Sequence, residues 1–206
     1  MRVGIYGGTF DPVHYGHLAV ASEVHDAFEL DLVRFVPALK SPLRAHPRVA
    51  AGHRLRMCEL AVEGRTEFEV SGVELDRAGP SYTVDTLRSL RRAHPQDELL
   101  VIVGSDTLRD LSAWREPDAI LALADIVAVV RPGGAHNVPV ELRREIPAAA
   151  RITVHHMPPV DISASAVRAL LAEGRPIDAY VPAAVRDYIV RHELYQTRGP
   201  TDHDPI

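Results

Sequence analysis

The stretch Ile-Tyr-Gly-Gly-Thr-Phe-Asp-Pro-Val-His-Tyr-Gly-His, residues 5–17, decides how the chain begins to fold. It ends a short apolar run, turns at Gly7 and Gly8, and leads into a helical pattern of apolar residues over 18–28. A strand, a glycine turn and a helix start form a natural anion site, because unpaired backbone N–H groups and the positive end of the helix dipole meet there. We therefore expect free amides at the start of this helix to face a phosphate.

Two histidines, His14 and His17, lie three residues apart directly after that turn. Their side chains add donors that can follow the charge of a phosphate as it is transferred. Other interpretations are half of a metal site or plain helix surface, but the Cys, Asp or Glu partners of a metal site do not appear at a usual spacing. The chain has neither a G-x-x-x-x-G-K-[ST] loop nor a G-x-G-x-x-G turn. The pair thus indicates a nucleotide site of another type.

Short apolar runs alternate along the chain with amphipathic helical stretches such as 48–62 and 84–94. Alternation of this kind predicts an α/β fold, with a doubly wound parallel sheet covered by helices on both faces. Ligands of such sheets bind at the carboxyl ends of the strands, so Gly7-Gly8 and 104–106 should converge. The predicted strands are 3–6, 32–36, 68–70, 99–103, 126–130 and 152–154.

Length and composition suit one globular domain. Of 206 residues, 46% are hydrophobic and 25% charged, which allows a sizeable core. We expect a single domain over 1–197, with a small C-terminal helical portion over about 163–195 packed on it and a flexible tail over 198–206. Pro182 suits the first turn of the last helix.

The charge and cysteine content narrow the class of protein. A net charge of −5 argues against a nucleic-acid partner. No apolar run is as long as a membrane span and no secretory segment is visible, so with a single cysteine we expect a cytoplasmic protein without a membrane partner. Cys58 follows a helical apolar pattern and is expected to pack in the core. The oligomeric state is left open, a homo-oligomer included.

The string T-F-D-P-x-H-x-G-H resembles the signature of the nucleotidyltransferase superfamily, whose members have a Rossmann-like fold and transfer a nucleotidyl group from ATP or CTP. A second stretch, residues 160–168, reads Val-Asp-Ile-Ser-Ala-Ser-Ala-Val-Arg. It is similar to the I-S-[ST]-T-x-x-R motif of that superfamily, with serine in place of threonine at Ser165. Its simpler interpretation is a helix cap formed by Ser163 or Ser165, with Arg168 on the helix surface.

A third stretch of sequence is typical of one branch of the superfamily. Residues 74–83 read Glu-Leu-Asp-Arg-Ala-Gly-Pro-Ser-Tyr-Thr, which alone would be a Gly-Pro turn opening a helix. The element looks like the E-x-x-R-x-G-P-S-Y-T sequence of the bacterial nicotinate-nucleotide adenylyltransferases, which join nicotinate mononucleotide to ATP in NAD biosynthesis. Residues 104–106, Trp114, 131–133 and 181–195 agree with that family.

The resemblance implies roles for individual residues. Trp114 would stack on the pyridine ring, the alternative being ordinary packing, and Asp106 would accept hydrogen bonds from the ATP ribose, the alternative being a helix N-cap. His14, His17 and Arg168 would be the catalytic residues. The implied ATP-binding residues are Gly7, Gly8, Thr9, Phe10, His14, His17, Gly104, Asp106, Ile162, Ser163, Ser165 and Arg168. The implied mononucleotide-binding residues are Lys40, Arg44, Thr83, Trp114 and Arg131.

The loop after the second strand departs from the family pattern P-N-x-x-P-P-H-K. Here residues 37–44 read Pro-Ala-Leu-Lys-Ser-Pro-Leu-Arg, so the Asn and His are missing. Arg44 can still bind a phosphate through two N–H groups, and we expect Lys40, the only lysine, or His46 to replace part of the lost contacts. A raised KM for the mononucleotide in Lys40→Ala or His46→Ala tests this. A further departure is Arg115, where many relatives carry Tyr.

The chemistry implied needs no general base, because a phosphate monoester with a second pKa of about 6 already attacks as a dianion. Positioning and charge stabilisation then carry the catalysis. Mg²⁺ is expected to be carried on the ATP phosphates, with waters as further ligands. Three alternatives remain: a phosphopantetheine adenylyltransferase, an enzyme for nicotinamide mononucleotide, and a non-catalytic nucleotide sensor on the same fold.

Overall fold

The computed structural model describes residues 1–42, 46–130 and 136–196. Its six strands form one sheet in the order β3-β2-β1-β4-β5-β6, and every neighbouring pair is parallel. The predicted parallel sheet is confirmed, and each predicted strand is present with bounds that differ by two residues at most. The strands are β1 Arg2–Gly8, β2 Leu32–Pro37, β3 Phe68–Val70, β4 Glu98–Gly104, β5 Asp125–Val129 and β6 Ile152–His155.

Helices connect the strands and cover both faces of the sheet. Two short helices, Pro117–Leu123 and Val140–Glu145, were not predicted, because segments of seven and six residues show little periodicity. Two 3₁₀ segments, Ser105–Ala113 and Pro147–Arg151, were not predicted either, since three residues per turn do not follow the α-helical period. Pro117 and Pro147 each stand in the first turn of their segment, where proline is favoured. The helices are α1 Tyr15–Ala27, α2 Ala51–Val62, α3 Thr83–Ala93, α4 Pro117–Leu123, α5 Val140–Glu145, α6 Ala164–Ala172 and α7 Ala183–Arg191. Pro182 precedes α7 as its N-cap.

The alternation of side chains along each strand separates two cores. On one face of β1 Tyr6 packs with α1, α2, α6 and α7, and on the other Val3 and Ile5 pack with α3, α4 and α5. Cys58 is fully buried in the first core, where burial raises the pKa of its thiol, so the packing role is confirmed. Within the described residues, no helix combines the length and apolar character needed to cross a membrane. The tail 198–206 lies outside those residues.

Candidate active site

The strand order places a switch point between β1 and β4. From β1 the chain continues outward through β2 and β3, whereas β4 leads to β5 and β6 on the other side. In sheets of this kind a crevice opens at the carboxyl ends of the two central strands. Gly8 ends β1 and Gly104 ends the adjacent β4, so the two predicted glycine segments do converge there.

The turn after β1 is shaped by Phe10. This residue has a left-handed backbone with φ of 48°, and its ring folds back over Gly8, where an added Cβ would lie 2.9 Å from the ring. Only 2% of Phe10 is exposed, and its ring meets the His17 ring edge-on at 5.0 Å. The ring therefore belongs to the first core and supports His17, and the predicted contact of Phe10 with ATP stays a prediction.

The two histidines form a stacked pair at the start of α1. Their ring centroids lie 3.7 Å apart, and the backbone N–H of the N-cap residue His14 donates to Nδ1 of His17 at 3.2 Å. Because Nδ1 of His17 accepts this bond, the proton of the neutral ring is on Nε2. His14 is 5% exposed while His17 is only partly buried. The fold thus fixes the tautomer that makes His17 Nε2 a donor.

The backbone amides at the start of α1 were expected to be free, but several of them have acceptors within the protein. The N–H of Tyr15 donates to the carbonyl of Tyr180 at 2.8 Å, and those of His17 and Leu18 donate to the carbonyl of His14. The prediction of free amides is therefore wrong for Tyr15 and His17, because the C-terminal portion and the first helical turn supply their acceptors, whereas the Leu18 bond is the first regular bond of the helix.

The stretch 162–168 lies against the turn and the helix start that carry the histidines. An added Cβ on Gly16 would lie 3.0 Å from the His14 ring and 3.2 Å from the carbonyl oxygen of Ile162, so glycine permits this close approach of α1. Arg168 on α6 donates from Nη1 to the carbonyl of Asp11 at 2.7 Å. The second motif thus lies beside the first.

Ser163 also serves as a helix cap. Its Oγ accepts a hydrogen bond from the N–H of Ala166 at 3.2 Å and lies 3.0 Å from Oγ of Ser165. Both serines are exposed at the start of α6. The capping interpretation is confirmed for Ser163, and it is compatible with phosphate contacts since a hydroxyl can donate while it accepts.

Asp11 has a structural role that the sequence did not reveal. Its carboxylate is 5% exposed and accepts bonds from the N–H of Arg48 at 2.8 Å and from the Tyr195 hydroxyl at 2.7 Å. Together with the bond from Arg168 to its carbonyl, Asp11 joins the turn to three distant segments. The T-F-D-P string contains this aspartate, but no spacing rule indicates its partners.

The bond between Tyr195 and Asp11 predicts a dependence on alkaline pH. The pKa of Tyr195 lies above its ordinary value, mainly because the side chain is buried and secondly because of the negative charge of Asp11. Folding favours the neutral phenol, so this stabilisation is complete below the unfolded pKa of about 10 and is lost as the pH rises above it. We expect Tyr195→Phe to lower the free energy of unfolding by about 1–2 kcal/mol at neutral pH. Above about pH 10, the Tm of this variant should fall less steeply with pH than the Tm of the wild type. Parallel Tm–pH curves for the two proteins would contradict this.

A recess lies between the start of α3 and the end of the first 3₁₀ segment. Its volume is about 130 Å³, and Thr83, the first residue of α3, and Trp114 both line it, as predicted for a ring site. Arg115 at the same recess lies over the Tyr82 ring at 4.8 Å and donates to Asp85 at 3.4 Å. The remaining lining residues are Ser41, Pro42, Ser81, Tyr82, Ala113 and Ile120.

Trp114 is partly buried and packs against the second core. Its Nε1 is buried and has no hydrogen-bond partner in the described part of the chain. The structure therefore gives the indole both a packing contact and a place in the recess.

The E-x-x-R element holds α3 in place below the recess. The Thr86 hydroxyl donates to Glu74 at 2.5 Å and accepts from Arg77 at 3.0 Å, and Glu74 is 7% exposed. Ser81 connects the recess to the loop after β2, since its Oγ accepts from the N–H of Leu39 at 2.9 Å and its N–H donates to the carbonyl of Lys40 at 2.8 Å.

The remaining predicted residues have simpler positions. Asp106 is exposed in the first turn of the 3₁₀ segment, whose N-cap is Gly104, so its alternative role as the N-cap is wrong. Lys40 and His46 are exposed on the loop that borders the recess, and their contacts with a substrate stay predictions. Arg44 and Arg131 lie outside the described residues.

A parallel sheet in this strand order, with the T-F-D-P-x-H-x-G-H turn at its switch point, is the arrangement expected of a nucleotidyltransferase, and comparison with known proteins agrees. The model of the "Cytidylyltransferase-like" family matches residues 5–170. A relative named "Probable nicotinate-nucleotide adenylyltransferase" from Roseiflexus sp. is 47% identical over 198 residues, covering 94% of this chain and 98% of the relative. One of the same name from Thermus thermophilus is 44% identical over 196 residues, covering 95% and 100%. The chain therefore belongs to the nicotinate-nucleotide adenylyltransferases, a branch of the cytidylyltransferase-like family.

A solved structure supports the fold independently. Plasmodium falciparum nicotinic acid mononucleotide adenylyltransferase complexed with NaAD matches 94% of this chain and 97% of its own with a TM-score of 0.76. The sequence identity is 20%, so this match concerns the fold alone.

Proposed function

We propose that the chain transfers the adenylyl group of ATP to nicotinate mononucleotide, giving nicotinate adenine dinucleotide and pyrophosphate. One observation carries the proposal. The phosphate site at His14, His17 and Arg168 and the ring recess at Trp114 open on the same carboxyl edge of the sheet, joined by the loop after β2. A nucleotide and a flat acceptor ring can therefore bind side by side.

The reaction forms one phosphorus–oxygen bond and breaks another. A phosphate oxygen of the mononucleotide attacks the α-phosphorus of ATP, and the bond from that phosphorus to the pyrophosphate oxygen breaks with its electron pair on pyrophosphate. The attacking phosphate is already mostly a dianion at neutral pH, since its second pKa is about 6, so no side chain must remove a proton. Positioning of the two substrates is the main requirement.

Each group at the phosphate site has a proposed part in this reaction. Nε2–H of His17 donates to an oxygen of the transferring phosphate, where negative charge gathers in the transition state. Arg168 and the hydroxyls of Ser163 and Ser165 bind the leaving β- and γ-phosphates. His14 stacks on His17 and keeps its ring in this orientation.

Mg²⁺ is part of the proposal. The side chains at the site are histidine, serine and arginine, a set that suits phosphate oxygens better than a hard cation, so the metal would be held by the ATP phosphates and waters. When bound it supplies positive charge to the phosphate oxygens.

The cytoplasmic location of the protein stays a prediction from the sequence.

The ring recess favours nicotinate as the acceptor. The N-terminal end of α3 at Thr83 carries partial positive charge, which suits a carboxylate more than a carboxamide. A site built for a charged group rejects its neutral analogue because buried polar groups are then left without partners.

The direct test is pyrophosphate release by the purified protein with ATP, Mg²⁺ and each acceptor. We expect turnover with nicotinate mononucleotide and a kcat/KM about tenfold or more above that for nicotinamide mononucleotide. Phosphopantetheine as acceptor and ATP alone are the matched controls. Absence of turnover with nicotinate mononucleotide would refute the proposed function, and ATP binding without turnover on any acceptor would favour a nucleotide sensor.

A further inference from the structure

Arg54 is the largest side chain in the fully buried set of the described residues, with 1% exposure. It projects from the first turn of α2 and donates only to backbone carbonyls. Nη1 donates to Thr9 at 2.6 Å, Nη2 to Ala38 at 2.6 Å and to Leu39 at 3.4 Å, and Nε to Val49 at 3.2 Å. A single planar group is thus bonded to three separate parts of the backbone.

In the proposed function, two of these backbone segments bind one substrate each. Thr9 belongs to the phosphate turn after β1, whereas Ala38 and Leu39 begin the loop after β2, which is bonded to Ser81 of the ring recess. Because the guanidinium is rigid and planar, its two terminal nitrogens set the separation of the carbonyls they bind. The side chain therefore determines how the two loops lie relative to each other.

Burial of the positive charge of Arg54 costs free energy, and the negative charge of Asp11 offsets part of that cost. Burial lowers the pKa of the Arg54 guanidinium, and the neighbouring Asp11 carboxylate acts in the opposite direction. Replacing a buried ion by an apolar residue of similar volume is often neutral or stabilising. Stability alone is thus a weak reason for arginine at this position, whereas a fixed geometry between two loops is a specific one.

We propose that Arg54 is a positioning residue that aligns the attacking mononucleotide phosphate with the α-phosphate of ATP by fixing the phosphate turn against the loop after β2. The inference rests on the proposed function. It concerns alignment and not binding, since Arg54 is buried and, within the described residues, its hydrogen bonds go to backbone carbonyls. Each substrate should therefore still bind alone when Arg54 is changed, while the reaction between them slows.

The test uses Arg54→Lys in the full chain. Lysine keeps the positive charge beside Asp11, but its single ammonium cannot hold both loops at the spacing of a guanidinium. We expect kcat to fall about 10- to 100-fold, since a misplacement of about 1 Å costs that much. The Kd of ATP and the Kd of nicotinate mononucleotide, each measured alone by calorimetry, should stay within about threefold of wild type, because the contacts to each substrate are unchanged.

Arg34→Lys is the matched control. Arg34 is also buried, 7% exposed, but it lies within β2 and pairs with Glu69 of β3, so its replacement should lower Tm without lowering kcat. A folded Arg54→Lys protein with kcat within about twofold of wild type would overturn the proposal. So would equal losses of kcat and of both binary affinities, or a failure of Arg54→Lys to fold, since either result assigns Arg54 to stability. The wild-type assay reports on the proposed function separately.

Discussion

Replacement of His17 by alanine is expected to lower kcat by about a hundredfold or more, the loss typical of removing one donor to the charge of a transition state. The N–H of His14 donates to Nδ1 of His17, which places the ring proton on Nε2, where it can reach a phosphate oxygen. The fold should survive, because His17 is only partly buried. Steady-state kinetics with ATP and nicotinate mononucleotide measures the effect.

Two further variants at this position separate catalysis from helix capping. His17→Asn keeps an acceptor near the place of Nδ1 but has no donor at the place of Nε2, whereas the longer amide of His17→Gln can reach that place. We expect His17→Gln to retain about tenfold more kcat than His17→Asn. If His17→Ala kept near-normal kcat, or if Asn were the better replacement, the role given to Nε2 would be wrong and capping would be the main function of His17.

Replacement of Trp114 by alanine is expected to raise the KM for the mononucleotide by about 30-fold, since stacking of a base on an aromatic side chain is worth about 1–3 kcal/mol. The indole lines the recess that Thr83 also borders, so the loss should fall on the mononucleotide. The KM for ATP should change by about twofold at most, because the phosphate turn does not touch this recess. Initial rates with each substrate varied in turn provide both values.

Trp114→Phe is the control for this prediction. Phenylalanine keeps a flat aromatic face, so we expect a KM within about fivefold of wild type. Because Trp114 also packs against the second core, Tm is measured for both variants. Equal rises in the KM values for ATP and mononucleotide, together with a lower Tm, would show that Trp114 acts through packing alone.

The strand pattern made most of the fold predictable. Strands such as β4 and β5 are buried on both faces, so their apolar runs are visible without any knowledge of the tertiary structure. The helices α4 and α5 were missed because seven and six residues span only about two turns. Their position depends on packing against the second core and not on their own periodicity.

The site was predictable where a motif is contiguous and less so where contacts cross the chain. Thr83 and Trp114 are 31 positions apart and nonetheless share one recess, which the family resemblance implied and the geometry supports. The packing of the Phe10 ring in the first core, beside His17, was not visible in the sequence. Arg54 was given no role, because its partners are backbone carbonyls, which leave no trace in a residue pattern.

The sequence by itself determined the parallel sheet, because strand periodicity is a local property, and the motif of residues 5–17 indicated nucleotidyl transfer through its resemblance to a known superfamily. The tertiary structure alone decided that the Tyr15 amide is occupied by the carbonyl of Tyr180, and how Asp11 and Arg54 hold the loops together. These features depend on hydrogen bonds between residues as far apart as Asp11 and Tyr195. Bonds of that kind exist only once folding has brought the segments together.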